Sequence, residues 1–190
     1  MDLGLTGKAA LVTGSSRGIG RGIALALSKA GCDVLLTGRD QAALAETASA
    51  IKANGRAAVI HAADLRAPNA AAELIDAARR EFSGLDILVN NAGTTKRGDF
   101  FELSDADWQE GYALKFFAHV RLARAAWPLL RERRGSLVAI GGTSGRKPEK
   151  AFTIGSSVNA AVAAFTIIER ANKSSAASFS RRAPKPRSSA

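Results

Sequence analysis

Short runs of aliphatic residues alternate with longer amphipathic segments along residues 1–168. The aliphatic runs predict strands at 9–13, 33–37, 57–61, 86–90 and 136–140. The amphipathic segments predict helices at 18–30, 41–53, 70–82, 105–133 and 156–169. Strands that alternate with helices, and that are apolar along their whole length, are typical of parallel sheets covered on both faces. The pattern therefore predicts an α/β fold with a doubly wound parallel sheet.

Length and composition place the chain among ordinary globular proteins. It has 190 residues, of which 46% are hydrophobic and 23% are charged, which predicts one domain with one core. No apolar run is long enough to predict a membrane span, and the absence of a secretory signal predicts a cytoplasmic location. The single cysteine, Cys32, is predicted to be a buried apolar residue rather than a nucleophile. His61 and His119 have no ligands at metal-binding spacing around them, so no metal is predicted.

The formal net charge of +10 is concentrated at the end of the chain. Residues 170–190 contain six Lys and Arg and no acidic residue, which leaves +4 for the rest. Phe179 is the only large apolar residue among them. Such a segment buries too little surface to fold, so we predict a folded domain over 1–168 and a disordered basic tail over 169–190. Without interleaved aromatic residues, a solvated tail is favoured over a nucleic-acid contact.

A glycine-rich segment follows the first predicted strand and opens the first predicted helix. It reads Thr13-Gly14-Ser15-Ser16-Arg17-Gly18-Ile19-Gly20. The glycines allow a tight turn, a close approach of a pyrophosphate and close packing of helix on strand, while the helix N-terminus attracts the anion. In this context the segment predicts a dinucleotide-binding turn.

Two further segments complete a recognisable set. Asp64-Leu65 follows the third predicted strand, and Asn90-Asn91-Ala92-Gly93 follows the fourth. Together with the glycine turn, they make the chain resemble the short-chain dehydrogenase/reductase family over residues 5 to 168. The resemblance implies a Rossmann-like sheet of about five strands in the order 3-2-1-4-5. It implies a cofactor site made of Gly14, Ser16, Arg17, Gly18, Ile19, Gly20, Arg39, Asp64, Leu65, Asn91, Ala92, Gly93 and Asn159.

The end of the second strand bears on the choice of cofactor. A carboxylate there would bind both ribose hydroxyls of NAD and repel a 2′-phosphate, but this chain has Arg39, with Arg17 nearby in the glycine turn. Two guanidinium groups suit a phosphate dianion, so we predict NADP(H), with NAD the less favoured alternative. The competing interpretation is that Arg39 is a solvated residue at a helix start.

The resemblance fails at the proton relay. In the family, a Tyr exchanges a proton with the substrate oxygen, a Lys four residues later assists it, a Ser polarises the carbonyl and an Asn holds a water. The corresponding positions here are Gly155, Asn159, Gly142 and Lys115, so all four differ. Glycine cannot transfer a proton, and the usual acid–base route is therefore absent in this alignment.

Three residues are candidates to replace the lost groups. Thr143 and Ser144 could supply a hydroxyl, and Lys115 could stabilise a developing alkoxide if it points into the cleft. The alternative for Lys115 is a helix-surface lysine with its head in water. Tyr112, the only tyrosine, is predicted to be a packing residue.

These observations predict an NADP(H)-dependent oxidoreductase that acts on a small alcohol or carbonyl substrate, with its catalytic competence in question. The alternative is a non-catalytic dinucleotide-binding or interaction protein. The family pattern has two more strands after residue 168, so a C-terminally truncated member with an open edge at the fifth strand is predicted. The long fourth helix, with Leu114, Phe117 and Leu122, is a candidate surface for a homo-oligomer.

Overall fold

A computed structural model describes residues 3–175 of the chain. Five strands form one parallel sheet in the order β3-β2-β1-β4-β5, which confirms the predicted fold class and strand order. The strands are β1 Ala9–Thr13, β2 Asp33–Thr37, β3 Ala58–Ile60, β4 Ile87–Asn90 and β5 Ser136–Ala139. The helices are α1 Gly18–Lys29, α2 Gln41–Ala53, α3 Ala70–Phe82, α4 Asp105–Tyr112, α5 Ala118–Glu132 and α6 Thr153–Ser175. Short 3-10 turns at Thr143–Gly145 and Lys150–Phe152 connect β5 to α6.

The central strand β1 is buried along its whole length and divides the core into two layers. Successive side chains of a strand point to opposite faces, so Leu11 packs toward α3 and α5 while Val12 packs toward α1 and α2. A smaller cluster forms where Ile154 and its neighbours on α6 meet Tyr112 and Phe116. Tyr112 is thus a packing residue, as predicted.

A buried carboxylate anchors the start of β4 to the start of β1. Asp86 accepts hydrogen bonds from the Ala9 amide and from Lys8 Nζ, each at 3.0 Å, and lies 3.8 Å from an Arg133 guanidinium nitrogen. The Asp86 side chain is 4% exposed, so each oxygen has a partner where water is excluded. This arrangement sets the level at which the two central strands begin.

The strand bounds agree with the prediction to within one residue at each end, whereas two helices differ. The predicted helix 105–133 is interrupted by a π-helical turn, Ala113–Phe117, between α4 and α5. Such a turn inserts one residue and so shifts the phase of the apolar pattern, but four of its five residues, Ala113-Leu114-Lys115-Phe116-Phe117, are apolar, and the shift is not visible in the sequence.

The last helix begins at Thr153, three residues before the predicted start, and runs to Ser175, six residues past the predicted end. It crosses the predicted domain boundary at residue 168, so residues 169–175 are helical where a disordered tail was predicted. This stretch contains no Gly or Pro and includes Glu169, Arg170, Ala171 and Lys173, which favour a helix. The rest of the predicted tail, 176–190, lies outside the described residues.

The predicted oligomer surface on the fourth helix needs a correction. Leu122 is 1% exposed and belongs to the core, and Leu114 lines a cleft, so neither is available to a partner. Only Phe117 of the three predicted apolar residues is exposed, at 47%. The oligomer therefore stays a prediction that rests on much less surface than the sequence pattern indicated.

Three smaller findings concern redox, metal and membrane chemistry. Cys32 is buried, and burial raises the pKa of its thiol, as expected for an inert apolar residue. Within residues 3–175, no three His, Cys, Asp or Glu side chains come together as a metal site. No helix in the same range has the length and apolar character needed to cross a membrane.

Candidate functional site

An open cleft of about 460 Å³ lies at the carboxyl ends of the strands. In-register parallel strands bring these ends to the same edge of the sheet, which is where ligands bind in doubly wound folds. All the predicted cofactor-binding residues except Gly18 and Asn159 line the cleft. Gly18 shapes the turn beside it, and Asn159 lies behind its wall.

The backbone of the glycine turn adopts a conformation in which other residue types would be strained. Gly14 and Gly18 have φ values of +63° and +55°, in the left-handed region that favours glycine. A Cβ on Gly20 would collide with the Gly14 carbonyl oxygen and the Asn91 side-chain amide. The three glycines are therefore required by the turn and by the close approach of α1 to the strand ends.

The N-terminus of α1 opens into the cleft without a protein cap. Its N-cap residue, Arg17, makes no side-chain capping hydrogen bond, and the first turn contains no acidic residue. The first amide groups of a helix lack helical partners and carry partial positive charge. In this position they can accept an anionic group of a ligand.

Thr13 and Ser15 were not among the predicted site residues, yet their hydroxyls fix the relative position of the cleft walls. Thr13 Oγ1 accepts hydrogen bonds from the amides of Asn91 and Ala92, each at 2.9 Å. Ser15 Oγ accepts the Thr37 amide at 3.0 Å and so joins the glycine turn to the end of β2. Both are fully buried. Their position at a strand end next to the glycine motif was the available sequence signal, but their partners are too distant in sequence to have been predicted.

At one end of the cleft, cations predominate. Arg17 and Arg39 line it, and neither has an ion pair with any residue in the described range. Asp64 lines it as well, but Arg66 holds that carboxylate through its backbone amide, Nε and Nη2, at 3.0, 3.0 and 2.7 Å. The hydrogen bonds from the Arg66 side chain are the main reason that the pKa of Asp64 is lowered. Arg66 was missed in the sequence, since only its side-chain conformation makes it a partner of Asp64.

Lys115 lies at the other end, on the π-helical turn. Its aliphatic stem crosses Gly93, where a Cβ would come within 2.8 Å of Lys115 Cδ. The side chain is half-buried, and burial lowers the pKa of its amine. Lys115 therefore points into the cleft, as its alignment with the family Asn position implied.

Comparison with known proteins identifies the family. The sequence profile described as short chain dehydrogenase matches residues 8–172. The chain belongs to the short-chain dehydrogenase family.

Individual relatives agree with this assignment. An uncharacterized oxidoreductase of Mycobacterium tuberculosis is 38% identical over 164 residues, which are 85% of this chain and 62% of that protein. The 2-dehydro-3-deoxy-D-gluconate 5-dehydrogenase of Escherichia coli is 40% identical over 122 residues, 64% of this chain and 47% of its own length. The chain thus spans between about half and two thirds of the curated relatives it matches.

Solved structures show the same fold. L-sorbose reductase from Gluconobacter frateurii, in complex with NADPH and L-sorbose, superimposes with a TM-score of 0.86 at 34% identity, over 91% of this chain and 67% of that one. A short chain dehydrogenase from Burkholderia cenocepacia in complex with NADP gives a TM-score of 0.84 at 34% identity, over 88% and 69% of the two chains.

Gly142 and Asn159, which the resemblance aligned with the family's Ser and Lys, fit each other. Asn159 Oδ1 accepts the Gly142 amide at 2.8 Å, and Asn159 Nδ2 donates to Ser144 Oγ at 2.9 Å. A Cβ on Gly142 would come within 2.6 Å of Asn159 Nδ2, so the amide needs the glycine. Asn159 is 2% exposed, and its predicted bond to a ribose stays a prediction.

The candidate hydroxyls lie beside this pair rather than in the cleft. Ser144 is 5% exposed and accepts from Asn159, while Thr143 is exposed, and neither lines the cavity. A role for either in proton transfer stays a prediction. Of the three catalytic candidates, only Lys115 lines the cleft.

Gly155, which the resemblance aligned with the family's Tyr, is covered by an aromatic ring. Phe152 lies over Gly155, and a Cβ there would overlap the far edge of that ring. The Arg97 guanidinium lies over the same ring, 4.2 Å from its centroid, and forms an ion pair with Glu149 at 3.1 Å. The space of the missing side chain is therefore filled by a residue from the preceding turn.

Proposed function

We propose that this chain binds NADP(H) in the cleft and forms the cofactor-binding part of an oxidoreductase that acts on a small alcohol or carbonyl compound. The observation that carries the proposal is the pair of guanidinium groups, Arg17 and Arg39, at one end of the cleft. Among the described residues that line it, the one carboxylate, Asp64, is held by Arg66. A 2′-phosphate placed there meets two cations, whereas the ribose diol of NAD finds no free carboxylate.

The remaining geometry supports the same binding mode. The uncapped N-terminus of α1 suits the pyrophosphate, and the segment Asn91 to Gly93 suits the ribose and nicotinamide beyond it. The NADPH and NADP complexes of the sorbose reductase and the Burkholderia dehydrogenase have this fold, which favours the same class of ligand here.

The chain's own residues would act mainly by binding and positioning. When bound, the nicotinamide supplies or accepts the hydride. Gly142 and Gly155 offer no side-chain donor, so the substrate oxygen depends on Lys115 or on water for its proton. General acid–base groups typically contribute about 10²–10⁴-fold, so we propose a turnover lower than the family's by about that factor.

Binding titrations test the proposal. We expect NADPH to bind about ten- to a hundredfold more tightly than NADH, as a charge-assisted bond to a phosphate would give. Arg39→Ala should remove most of this difference, whereas Arg124→Ala, an exposed arginine on α5 outside the cleft, should leave it unchanged. Equal affinities for the two cofactors in the unaltered chain would overturn the assignment to NADP(H).

A second function is supported by the ring of Phe152 over Gly155. It fills the space of a side chain at residue 155, the position that the resemblance assigns to the proton donor, and so favours a dinucleotide-binding protein without catalysis. NADPH oxidation measured with a panel of ketones and aldehydes separates the two. Tight cofactor binding with no turnover on any member of the panel would favour the binding protein.

A further inference from the structure

Lys115 is a half-buried cation with no protein counter-charge. No ion pair or hydrogen bond joins its ammonium group to another residue between 3 and 175, and burial alone accounts for its lowered pKa. Its stem is held against Gly93, so the amine cannot leave the cleft without losing that contact. Taking an ammonium out of water without a partner costs free energy, which a bound anion would offset.

The carboxylates near the cleft are already in use. Asp64 is the only acidic residue among those that line it in the described range, and Arg66 holds both of its oxygens. Arg66 also forms an ion pair with Glu110 on α4, the helix that leads into the turn of Lys115. Within residues 3–166, whose side chains the structure describes, no free carboxylate therefore lines the cleft beside this amine.

In the proposed binding mode, the cofactor phosphates lie nearer the ends of β1 and β2 than Lys115 does. Arg39 follows β2, Gly93 follows β4, and β1 lies between them in the sheet. The uncapped helix N-terminus that suits the pyrophosphate begins after β1. Neighbouring strands are about 4.8 Å apart, so Lys115 is displaced from both phosphate positions toward β5. In the proposed binding mode this is the end that holds the nicotinamide and the substrate.

We propose that Lys115 binds the carboxylate of the substrate, so that this cleft selects a small oxo acid, or the corresponding hydroxy acid, over a neutral ketone or alcohol. The placement of the substrate at this end rests on the proposed function. A carboxylate beside Nζ favours the charged amine and offsets the effect of burial. It also gives the cleft a binding group that does not depend on the side chains absent at Gly142 and Gly155.

Calorimetric titrations with two matched pairs of ligands test the inference. Pyruvate is compared with methyl pyruvate, and acetoacetate with methyl acetoacetate, since each ester keeps the ketone and loses the charge. The titrations use the full chain with saturating NADP⁺, which cannot reduce the ketones, and are repeated without it. We expect at least one acid to bind about ten- to a hundredfold more tightly than its ester.

Variants of Lys115 test whether its amine causes the preference for the acid over the ester. Lys115→Met should remove the preference for the acid, whereas Lys115→Arg should keep it, and the NADPH affinity of both variants is measured alongside. Lys150→Met removes an exposed lysine from the turn before α6, outside the cleft, and should change neither affinity. If Lys115→Met lowers the melting temperature, Lys115→Gln provides the uncharged variant with a polar end.

The outcomes separate this inference from the proposed function. Equal binding of acids and esters, no binding of either, or an unchanged preference in Lys115→Met would overturn the inference even where NADPH binds normally. Failure to bind NADP(H), together with a Lys115-dependent preference for an acid, would overturn the proposed function and support the anion site.

Discussion

The ring of Phe152 covers the α-carbon of Gly155, in the place where a side chain at residue 155 would begin. The ring belongs to the 3-10 turn that precedes α6, and the Arg97 guanidinium lies over it, 4.2 Å from its centroid. A tyrosine cannot simply be restored at residue 155, because the ring must first move away.

A double-mutant cycle checks this relationship. Gly155→Tyr alone should lower the free energy of unfolding by about 1–3 kcal/mol, the usual effect of overpacking. In a Phe152→Ala background the same change should cost at least about 1 kcal/mol less, because the ring is gone. Urea denaturation of the four chains measures the coupling. Additive effects would show that residues 152 and 155 do not compete for one space.

Substitution by alanine is expected to have opposite effects at two glycines of α1. Gly20→Ala should destabilise the fold by about 1–3 kcal/mol and abolish nucleotide binding, since its Cβ would meet the Gly14 carbonyl and the Asn91 amide. Gly22→Ala is the matched control, because nothing lies within 4 Å of its Cβ position, and it should stabilise the helix by about 0.5–1 kcal/mol. Thermal denaturation and NADPH titration of both variants provide the measurements, and equal effects would contradict the packing.

Because His119 is buried, we expect the free energy of unfolding to fall in mild acid. Burial is the main reason that its pKa falls to about 4 in the folded chain, from about 6.5 when unfolded. Between these values the unfolded state binds a proton that the folded state does not, so the free energy of unfolding falls as pH drops from about 6.5 to about 4. Above that window His119 contributes no pH dependence.

The comparison uses denaturation at pH 7 and pH 4.5. The unaltered chain should lose about 2–3 kcal/mol more between the two values than His119→Gln, which cannot take up the proton. The variant also loses the contact of Nε2 with the Ala92 carbonyl at 3.1 Å, so only the pH-dependent difference is informative. His61→Gln, at a partly exposed histidine, serves as the control, and parallel pH profiles for His119→Gln and the unaltered chain would rule out the buried histidine as the cause.

Removal of the Asp86 carboxylate is expected to lower the stability of the fold for a reason unrelated to the cleft. Asp86→Ala removes the acceptor of the buried Ala9 amide and the partner of Lys8, and should cost about 1–3 kcal/mol. Lys8 is 42% exposed and can regain water, which keeps the loss below that of a fully buried pair. Asp76→Ala, an exposed carboxylate on α3, should change the free energy of unfolding by less than about 0.5 kcal/mol. Equal losses at residues 76 and 86 would show that the buried contacts of Asp86 contribute little.

The sheet was predictable because its strands are buried on both faces and therefore read as continuous apolar runs, as Leu11 and Val12 in β1 show. The glycine turn was predictable because its backbone and close approach exclude other residues. Both signals are local in sequence. The π-helical turn was not predictable, since it lies in a run of mostly apolar residues where the phase shift of one inserted residue is not visible.

The contacts that determine the charge and shape of the cleft depend on side-chain conformation. Arg66 could have pointed to solvent, yet it holds Asp64 and Glu110. Phe152 could have packed elsewhere, yet it lies over Gly155. Lys115 was placed in the cleft only by alignment with the family, because a lysine on an amphipathic helix is usually solvated.

The hydroxyl of Thr13 accepts hydrogen bonds from the amides of Asn91 and Ala92, which lie 78 and 79 residues further along the chain. The two walls of the cleft meet only where β1 and β4 pair, so the binding site is complete only after these strands have paired. Closing a loop of this length costs more entropy than closing a short one, so we expect the proposed nucleotide binding to recover late in refolding. A nucleotide that binds only the paired strands would in turn slow their separation, so its presence should lengthen the lifetime of the central sheet.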